Sequence, residues 1–519
     1  MGVPGFFAWL IQQYPDIIID SLLDQNINID ILYLDANCLF HPKCFETLKE
    51  FPDLIGDQLE KEMFLNITKY MDELLSMVPN VKTLYIAVDG CAPMAKIIQQ
   101  RKRRYKGVWE NEQKHIIPKW SNCVITPGTS FQIKLDKCIN KWISTKKDID
   151  ISYSNHMIPG EGEHKILQHI KSNNNNNNNN YLVYGLDADL IFLSLASNKQ
   201  CIYLMRENIN NRKLHTEVYS MVQSESKVSD FHHNDNMIQY VDMDKTKKYI
   251  EQILPLNDFI ILCFFLGNDF VPNLPNIHTK NNGMDTLMDA YQNLKMVVKN
   301  GSFMLDNKLN ISFLLEFLTI LNQNEEEYFT KTLPIFLERM SNRTWDEEKQ
   351  SQSKKDWEFE NIIKEPYLPT INERGKLMYY EKSNFKIIFE NEFINNICKS
   401  YLDTINWIIE YYFCDVNDKQ FYFKYNCAPF IPHLIKYIKN KSYVNPIFID
   451  NNYIENKKQL FIVIHPTYWP LLKINENNEF DDYVYLCPST FKINKIHQCQ
   501  MHKCDPILPT FNLDLFINQ

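Results

Sequence analysis

The sequence predicts an α/β fold, a mostly parallel central sheet flanked by helices, with a mixed α+β C-terminal region. Two observations carry this. ILYLD (Ile31–Asp35), TLYIAVD (Thr83–Asp89) and YLVYGLD (Tyr181–Asp187) each read as a buried strand ending in an acid. Amphipathic stretches such as Glu60–Val78 and Lys96–Tyr105 lie between them, and strand–helix alternation implies parallel pairing.

The remaining elements follow in chain order. Asn173–Asn180, a run of asparagine, reads as a tolerant surface insertion. Glu207–Lys245 is polar and irregular and reads as a second insertion, and the charge-dense Arg343–Lys364 as an exposed helix or linker. Phe393–Phe413 has helical character, and the tail to Gln519 mixes short strands with loops. With 519 residues the chain is too long for one small domain. The expected division is an α/β region at 1–300, a helical and charged connection at 301–390, and a further region at 391–519 that packs on the first.

No apolar run approaches the roughly 18–20 residues that cross a bilayer, so no membrane partner is expected. The start, MGVPGFFAWL, lacks a basic n-region, and Phe6 stands where a myristoylation motif wants Ser or Thr. The chain reads as soluble and intracellular. Thirteen cysteines with no C-x-x-C pair read as free thiols. Zinc ligation stays open for Cys487, His497, Cys499, His502 and Cys504, although their spacing matches no standard finger or knuckle. The net charge of −9 leaves a nucleic-acid partner possible, because phosphate affinity depends on where basic groups sit, and carboxylates that hold cations add negative charge.

Seven acids stand in distinctive contexts. Asp35 and Asp89 close apolar strands, and Asp187 and Asp189 sit in GLDADL, where residues two apart on an extended segment face one way. Glu161 and Glu163 sit in PGEGEH. Two apart inside a helix they would diverge, so they belong at a loop–helix junction. Asp269 follows the apolar run FIILCFFLGN. Single acids of this kind commonly cap helices or form turns. As a set at the carboxyl ends of a parallel sheet, they suit hard divalent cations.

Lys96, Gln100, Arg103 and Arg104 fall at i, i+4, i+7 and i+8, one face of a helix. That face could grip a phosphate dianion by charge-assisted, bidentate hydrogen bonds, or could be a solvated basic surface.

Longer motifs occur in order: MGVPGFF, LYLDAN-x-x-x-H (Leu32–His41), VDG-x-AP-x-AK-x-x-QQR-x-RR (Val88–Arg104), PGEGEHKI (Pro159–Ile166), YGLDADLI (Tyr184–Ile191) and CFFLGNDFVPNLP (Cys263–Pro275). Together they resemble the Xrn family of 5′→3′ exoribonucleases, whose catalytic core is shared with PIN-like flap endonucleases. W-x-x-EYYF (Trp407–Phe413), FYFKYNCAP (Phe421–Pro429) and QLFIVIHP (Gln459–Pro466) resemble that family's second conserved region.

The resemblance implies that Asp35, Asp89, Glu161, Glu163, Asp187, Asp189 and Asp269 are both the catalytic acids and the ligands of two Mg²⁺ or Mn²⁺ ions. It implies in-line attack on the phosphodiester by a metal-activated water. Lys96, Gln100, Arg103 and Arg104 match the pocket for the 5′-monophosphate of single-stranded RNA. His41 matches a histidine that stacks on the terminal base, with Phe421 standing where the family has a larger ring. The implied enzyme is a short, monomeric, cytoplasmic form without the family's further C-terminal modules. It would act in RNA decay, with a decapping enzyme upstream as the source of monophosphate ends. Two other readings are a structure-specific 5′ flap DNA nuclease and a non-catalytic scaffold that binds RNA 5′ ends.

Overall fold

The computed structural model describes residues 3, 5–172, 179–207, 238–346, 353–361, 370–383, 387–441, 443–495, 500–511 and 516. Most of the asparagine run, most of Glu207–Lys245, parts of Arg343–Lys364, and both His497 and Cys499 lie outside these residues. No described helix is long and apolar enough to cross a membrane, and the described cysteines are free thiols. Past the first five residues the chain divides into two compact units, one formed by 6–256 with 451–484, the other by 257–450 with 485–519. The boundaries expected near 300 and 390 are not where this division falls. Residues 451–484 return to the first unit, so the motifs of the second conserved region are shared between the two.

Among the described residues, the first unit is built on a seven-stranded sheet. Its strands are β1 (Ile18–Ile19), β2 (Ile31–Asp35), β3 (Thr83–Ala87), β4 (Asp150–Ser154), β5 (Tyr181–Tyr184), β6 (Ile202–Glu207) and β7 (Ile238–Asp242). Their order is β1-β7-β6-β5-β2-β3-β4. β4, β3, β2, β5 and β6 are parallel to their neighbours, and β7 and β1 close one edge antiparallel. β7 corrects the expectation that Glu207–Lys245 is irregular throughout. IQYVD, with its three central residues buried, pairs antiparallel with β6 on one side and β1 on the other.

Each parallel step needs a crossover, and the amphipathic stretches provide it. After α1 (Phe6–Gln13) at the start of the chain, α2 (Ala36–Glu50) and α3 (Gly56–Ser76) join β2 to β3, and α4 (Met94–Lys114) and α5 (Ser130–Thr145) join β3 to β4. α6 (Gly162–Ser172) leads into β5, α7 (Asp189–Ala196) leads into β6, and α8 (Met243–Glu251) follows β7. All five residues of β2 are buried, as expected of a central strand covered on both faces. Leu32, Leu34, Ile86 and Leu182 pack with Phe40, Met63 and Leu135 in one apolar cluster.

The register aligns the carboxyl ends: Asp35 lies opposite Ala87, and Ala87 opposite Ser154. From β2 the chain proceeds to β3 and β4 on one side, then reappears as β5 and β6 on the other. The switch point therefore falls between β2 and β5, where open α/β sheets bind ligands.

The second unit is chiefly helical, with small antiparallel pairs at Met304–Leu309 and at Lys492–Asn494 with Asp505–Ile507. Its longest helix, Glu390–Phe413, covers the expected Phe393–Phe413 and buries Trp407 completely.

Candidate metal centre

Asp35, the last residue of β2, is 6% exposed, and its Oδ2 accepts the Cys38 thiol at 3.0 Å. Asp89 stands two residues past β3 and is fixed from three sides. Asn37 donates Nδ2–H to its Oδ2 at 2.9 Å and accepts its backbone N–H at 3.2 Å, while the Gly162 N–H donates to Oδ1 at 2.7 Å.

Gly162 opens α6, and a Cβ there would meet Asp35 Oδ1 at 2.8 Å, the Ala87 carbonyl at 3.2 Å and Asp89 Oδ1 at 3.4 Å. Only a residue without a side chain lets the helix start approach both acids so closely. Glu161 is the loop residue before this helix and Glu163 its second residue, the junction expected for the pair.

Asp187 and Asp189 are not on an extended segment as expected. β5 ends at Tyr184, and the chain turns so that Asp189 is the first residue of α7. The reason is local: the Asp187 carboxylate accepts the Asp189 N–H at 3.4 Å, and Arg206 holds the Leu186 and Asp187 carbonyls, which favours a turn over a continued strand. The two acids still meet. Glu163, Asp187 and Asp189 each offer an oxygen within 4.8 Å of the others.

Charge binds these acids into one system. Burial first, then the charges of Asp89 and Asp187, push the Asp35 carboxyl up to about 7. Glu163 is driven well above the usual carboxylate range by burial, against the pull of Lys96 and with further push from Asp189, Asp187 and Glu161. The Lys96 ammonium lies 2.9 Å from Glu161 Oε1 and 3.9 Å from Glu163 Oε1. Glu163 Oε1 is buried without a hydrogen-bond partner. Repelling carboxylates with an unsatisfied buried oxygen and an all-oxygen donor set fit hard divalent cations. Asp269 belongs to the second unit, in the loop after the helix Leu256–Phe264.

Lys96, Gln100, Arg103 and Arg104 all lie on α4, which continues nine residues past the expected Tyr105 to Lys114. Lys96 is buried against the glutamates, Gln100 is half-buried and Arg103 is exposed. Arg104 is half-buried and donates Nη1–H to Thr126 Oγ1 at 2.6 Å. His41 on α2 faces the same two arginines: burial, then Arg103, then Arg104 push its imidazole down to about 3, so it is neutral. Phe421 is half-buried in the second unit, stacked on Trp407 at 6.2 Å and edge-on to Phe448 at 5.3 Å.

Several residues that shape the site were not singled out from sequence. Asn37 and Gly162 lie inside quoted motifs but carry no charge to mark them. Lys165, buried, donates to the Val88 and Asn155 carbonyls at 2.7 and 3.0 Å and so clamps the ends of β3 and β4. Thr126 had one available signal, the turn-forming TPGT at Thr126–Thr129.

Two family profiles match in tandem. One, described as XRN 5′-3′ exonuclease N-terminus, covers residues 1–208; the other, the Xrn1 helical domain, covers residues 247–372. The chain belongs to the Xrn family. It is 30% identical over 397 residues to 5′-3′ exoribonuclease 2 of Debaryomyces hansenii, covering 64% of this chain and 39% of that relative. The protein of that name from Candida albicans is 31% identical over 392 residues, 63% of this chain and 40% of the relative. Human 5′-3′ exoribonuclease 1 is 29% identical over 499 residues, 83% of this chain and 29% of the relative. The chain thus spans about two fifths or less of the length of these curated relatives.

Proposed function

We propose that this Xrn chain is a 5′→3′ exoribonuclease that hydrolyses 5′-monophosphorylated single-stranded RNA to mononucleotides. One observation carries the reading. Asp35, Asp89, Glu161, Glu163, Asp187 and Asp189 gather beyond the sheet's switch point, and Lys96 links them to the basic face of α4. A phosphate held on that face would leave the first phosphodiester near the acids.

In this reading the six acids hold two Mg²⁺ or Mn²⁺ ions, and Asp269 joins them on the family resemblance alone. Bound divalent cations supply charge neutralisation and an activated water for in-line attack. Gln100, Arg103 and Arg104 grip the terminal phosphate by charge-assisted hydrogen bonds. Lys96 adds a cationic group wherever the glutamates release it. Neutral His41 offers a flat ring for a base to stack on without regard to sequence, with Phe421 proposed as the second ring. The biological role proposed is decay of RNA whose 5′ end has been converted to a monophosphate, as by a decapping enzyme.

The test is degradation of 3′-labelled RNA bearing 5′-monophosphate, 5′-triphosphate or 5′-hydroxyl ends, with Mg²⁺, Mn²⁺ or EDTA. Fast, metal-dependent release of mononucleotides from the monophosphate alone is expected. Equal rates on all three ends refute the pocket. Preferential cutting of flapped DNA would favour a flap nuclease, and binding without turnover would favour a scaffold.

A further inference from the structure

We infer that Thr126 is a positioning residue for 5′-end selectivity, acting by holding the Arg104 guanidinium in its phosphate-gripping pose. The inference rests on the proposed phosphate pocket and adds a residue outside α4 to it.

The geometry is directional. Thr126 is fully buried, and its hydroxyl donates to the Cys123 carbonyl at 2.6 Å. With its proton committed there, Oγ1 presents lone pairs to Arg104, whose Nη1–H reaches it at 2.6 Å. The same nitrogen lies 3.4 Å from the Cys123 carbonyl. One corner of the guanidinium is thereby pinned and its plane set, while the remaining N–H groups stay available as a fork.

The anchor itself is stiff. Thr129 Oγ1 shares its one proton between the Val124 carbonyl and the Thr126 carbonyl, the latter at 3.0 Å, and accepts the Gln132 N–H at 3.3 Å as the N-cap of α5. Gly128, between them, has φ +91°, and a Cβ there would meet Asn456 Cβ at 3.1 Å. The loop is therefore fixed at α5 and packed against the returning segment.

Such an anchor matters because Arg103 and Arg104 are neighbours of like charge. Free in solvent, the two guanidiniums would spread apart, and gathering them on a phosphate would cost rotamer freedom and repulsion. A pre-set Arg104 lowers that cost only for a substrate that carries the phosphate. A 5′-hydroxyl end gains nothing from it.

The experiment uses the full chain and RNA with 5′-monophosphate or 5′-hydroxyl ends, comparing KM and kcat for Thr126→Ala, Thr126→Val, Thr126→Ser and Arg104→Ala. Thr126→Ala and Thr126→Val are expected to raise KM for the monophosphate about tenfold, the loss of one charge-assisted hydrogen bond. Their kcat should stay within about twofold, KM for the hydroxyl end should not move, and Thr126→Ser should restore selectivity, because serine keeps the oxygen. The volume-matched valine variant carries the comparison if the alanine variant does not fold.

Arg104→Ala separates the two layers. If it leaves the monophosphate-to-hydroxyl preference intact, the phosphate pocket is wrong. If it abolishes the preference while the valine variant matches wild type, or the serine variant loses as much as valine, the role of Thr126 is overturned. Adding Thr126→Ala to Arg104→Ala should change nothing further, and an additional loss of selectivity would count against the inference.

Discussion

Lys96 joins the α4 basic face to the acids: its ammonium lies 2.9 Å from Glu161 Oε1, with both side chains buried. In the absence of metal it acts as an internal counter-cation for the glutamates. A lysine in this place can neutralise the glutamates or help bind a phosphate, and cation binding by the acids would release it for the second task.

Replacing Lys96 with Met should therefore destabilise the metal-free protein. Removing one partner of a buried ion pair typically costs about 3–5 kcal/mol. The unfolding midpoint in EDTA is expected to fall, and Mn²⁺ should recover most of the loss by taking over the charge balance. Identical midpoints for Lys96→Met and wild type in EDTA would contradict this role.

Gly162→Ala tests the close approach of α6. Alanine suits a helix better than glycine, so the fold should survive. Its Cβ would nevertheless sit 2.8 Å from Asp35 Oδ1 and 3.4 Å from Asp89 Oδ1, forcing the acids or the helix start to shift. Displacing reacting groups by about 1 Å can cost about 10²-fold in rate. Turnover should drop by about that factor with an unchanged circular dichroism spectrum. A variant as active as wild type would show that this packing does not matter.

Asp187→Ala separates binding from chemistry. Asp187 is one of the three acids whose oxygens lie within 4.8 Å of one another, and it is not among the residues proposed to grip the terminal phosphate. The variant should bind 5′-monophosphate RNA within a few-fold of wild type and yield no mononucleotides. Undiminished hydrolysis would remove Asp187 from the metal set.

What the sequence revealed follows from how the information is stored. ILYL and YLVY are apolar over their whole length, so burial on both faces and the parallel sheet were legible. The acids stood out because charge directly after a buried strand is conspicuous. β7 was hidden because a strand of only five residues leaves little pattern at the end of a polar stretch. The return of 451–484 to the first unit was also invisible. The helix Asn456–Val463 packs on α4, with Gln459 Oε1 accepting the Ala92 N–H at 3.3 Å, but no local signal in QLFIVIHP names its partner. Asn37, Gly162 and Thr126 act through direction and size, which composition does not display.

The acids also set a pH dependence that metal should reverse. An ordinary aspartate titrates near 3.9, whereas burial and then Asp89 push Asp35 up to about 7. For a carboxyl raised in the folded state, stability is full below the ordinary value and is lost as pH rises through the folded one. His41 works in the opposite sense, its lowered imidazole weakening the fold as pH falls below about 6.5, so whole-protein profiles mix the two. Asp35→Asn isolates the carboxyl, being similar in shape but without charge. In EDTA this variant should be more stable than wild type at pH 8, by about 1–3 kcal/mol, with the gap closing toward pH 5. Saturating Mn²⁺ should invert the order at pH 8, because only wild type retains the full ligand set. Denaturant unfolding at the two pH values decides it: if wild type is the more stable protein at pH 8 in EDTA, the acids are not held against their own repulsion.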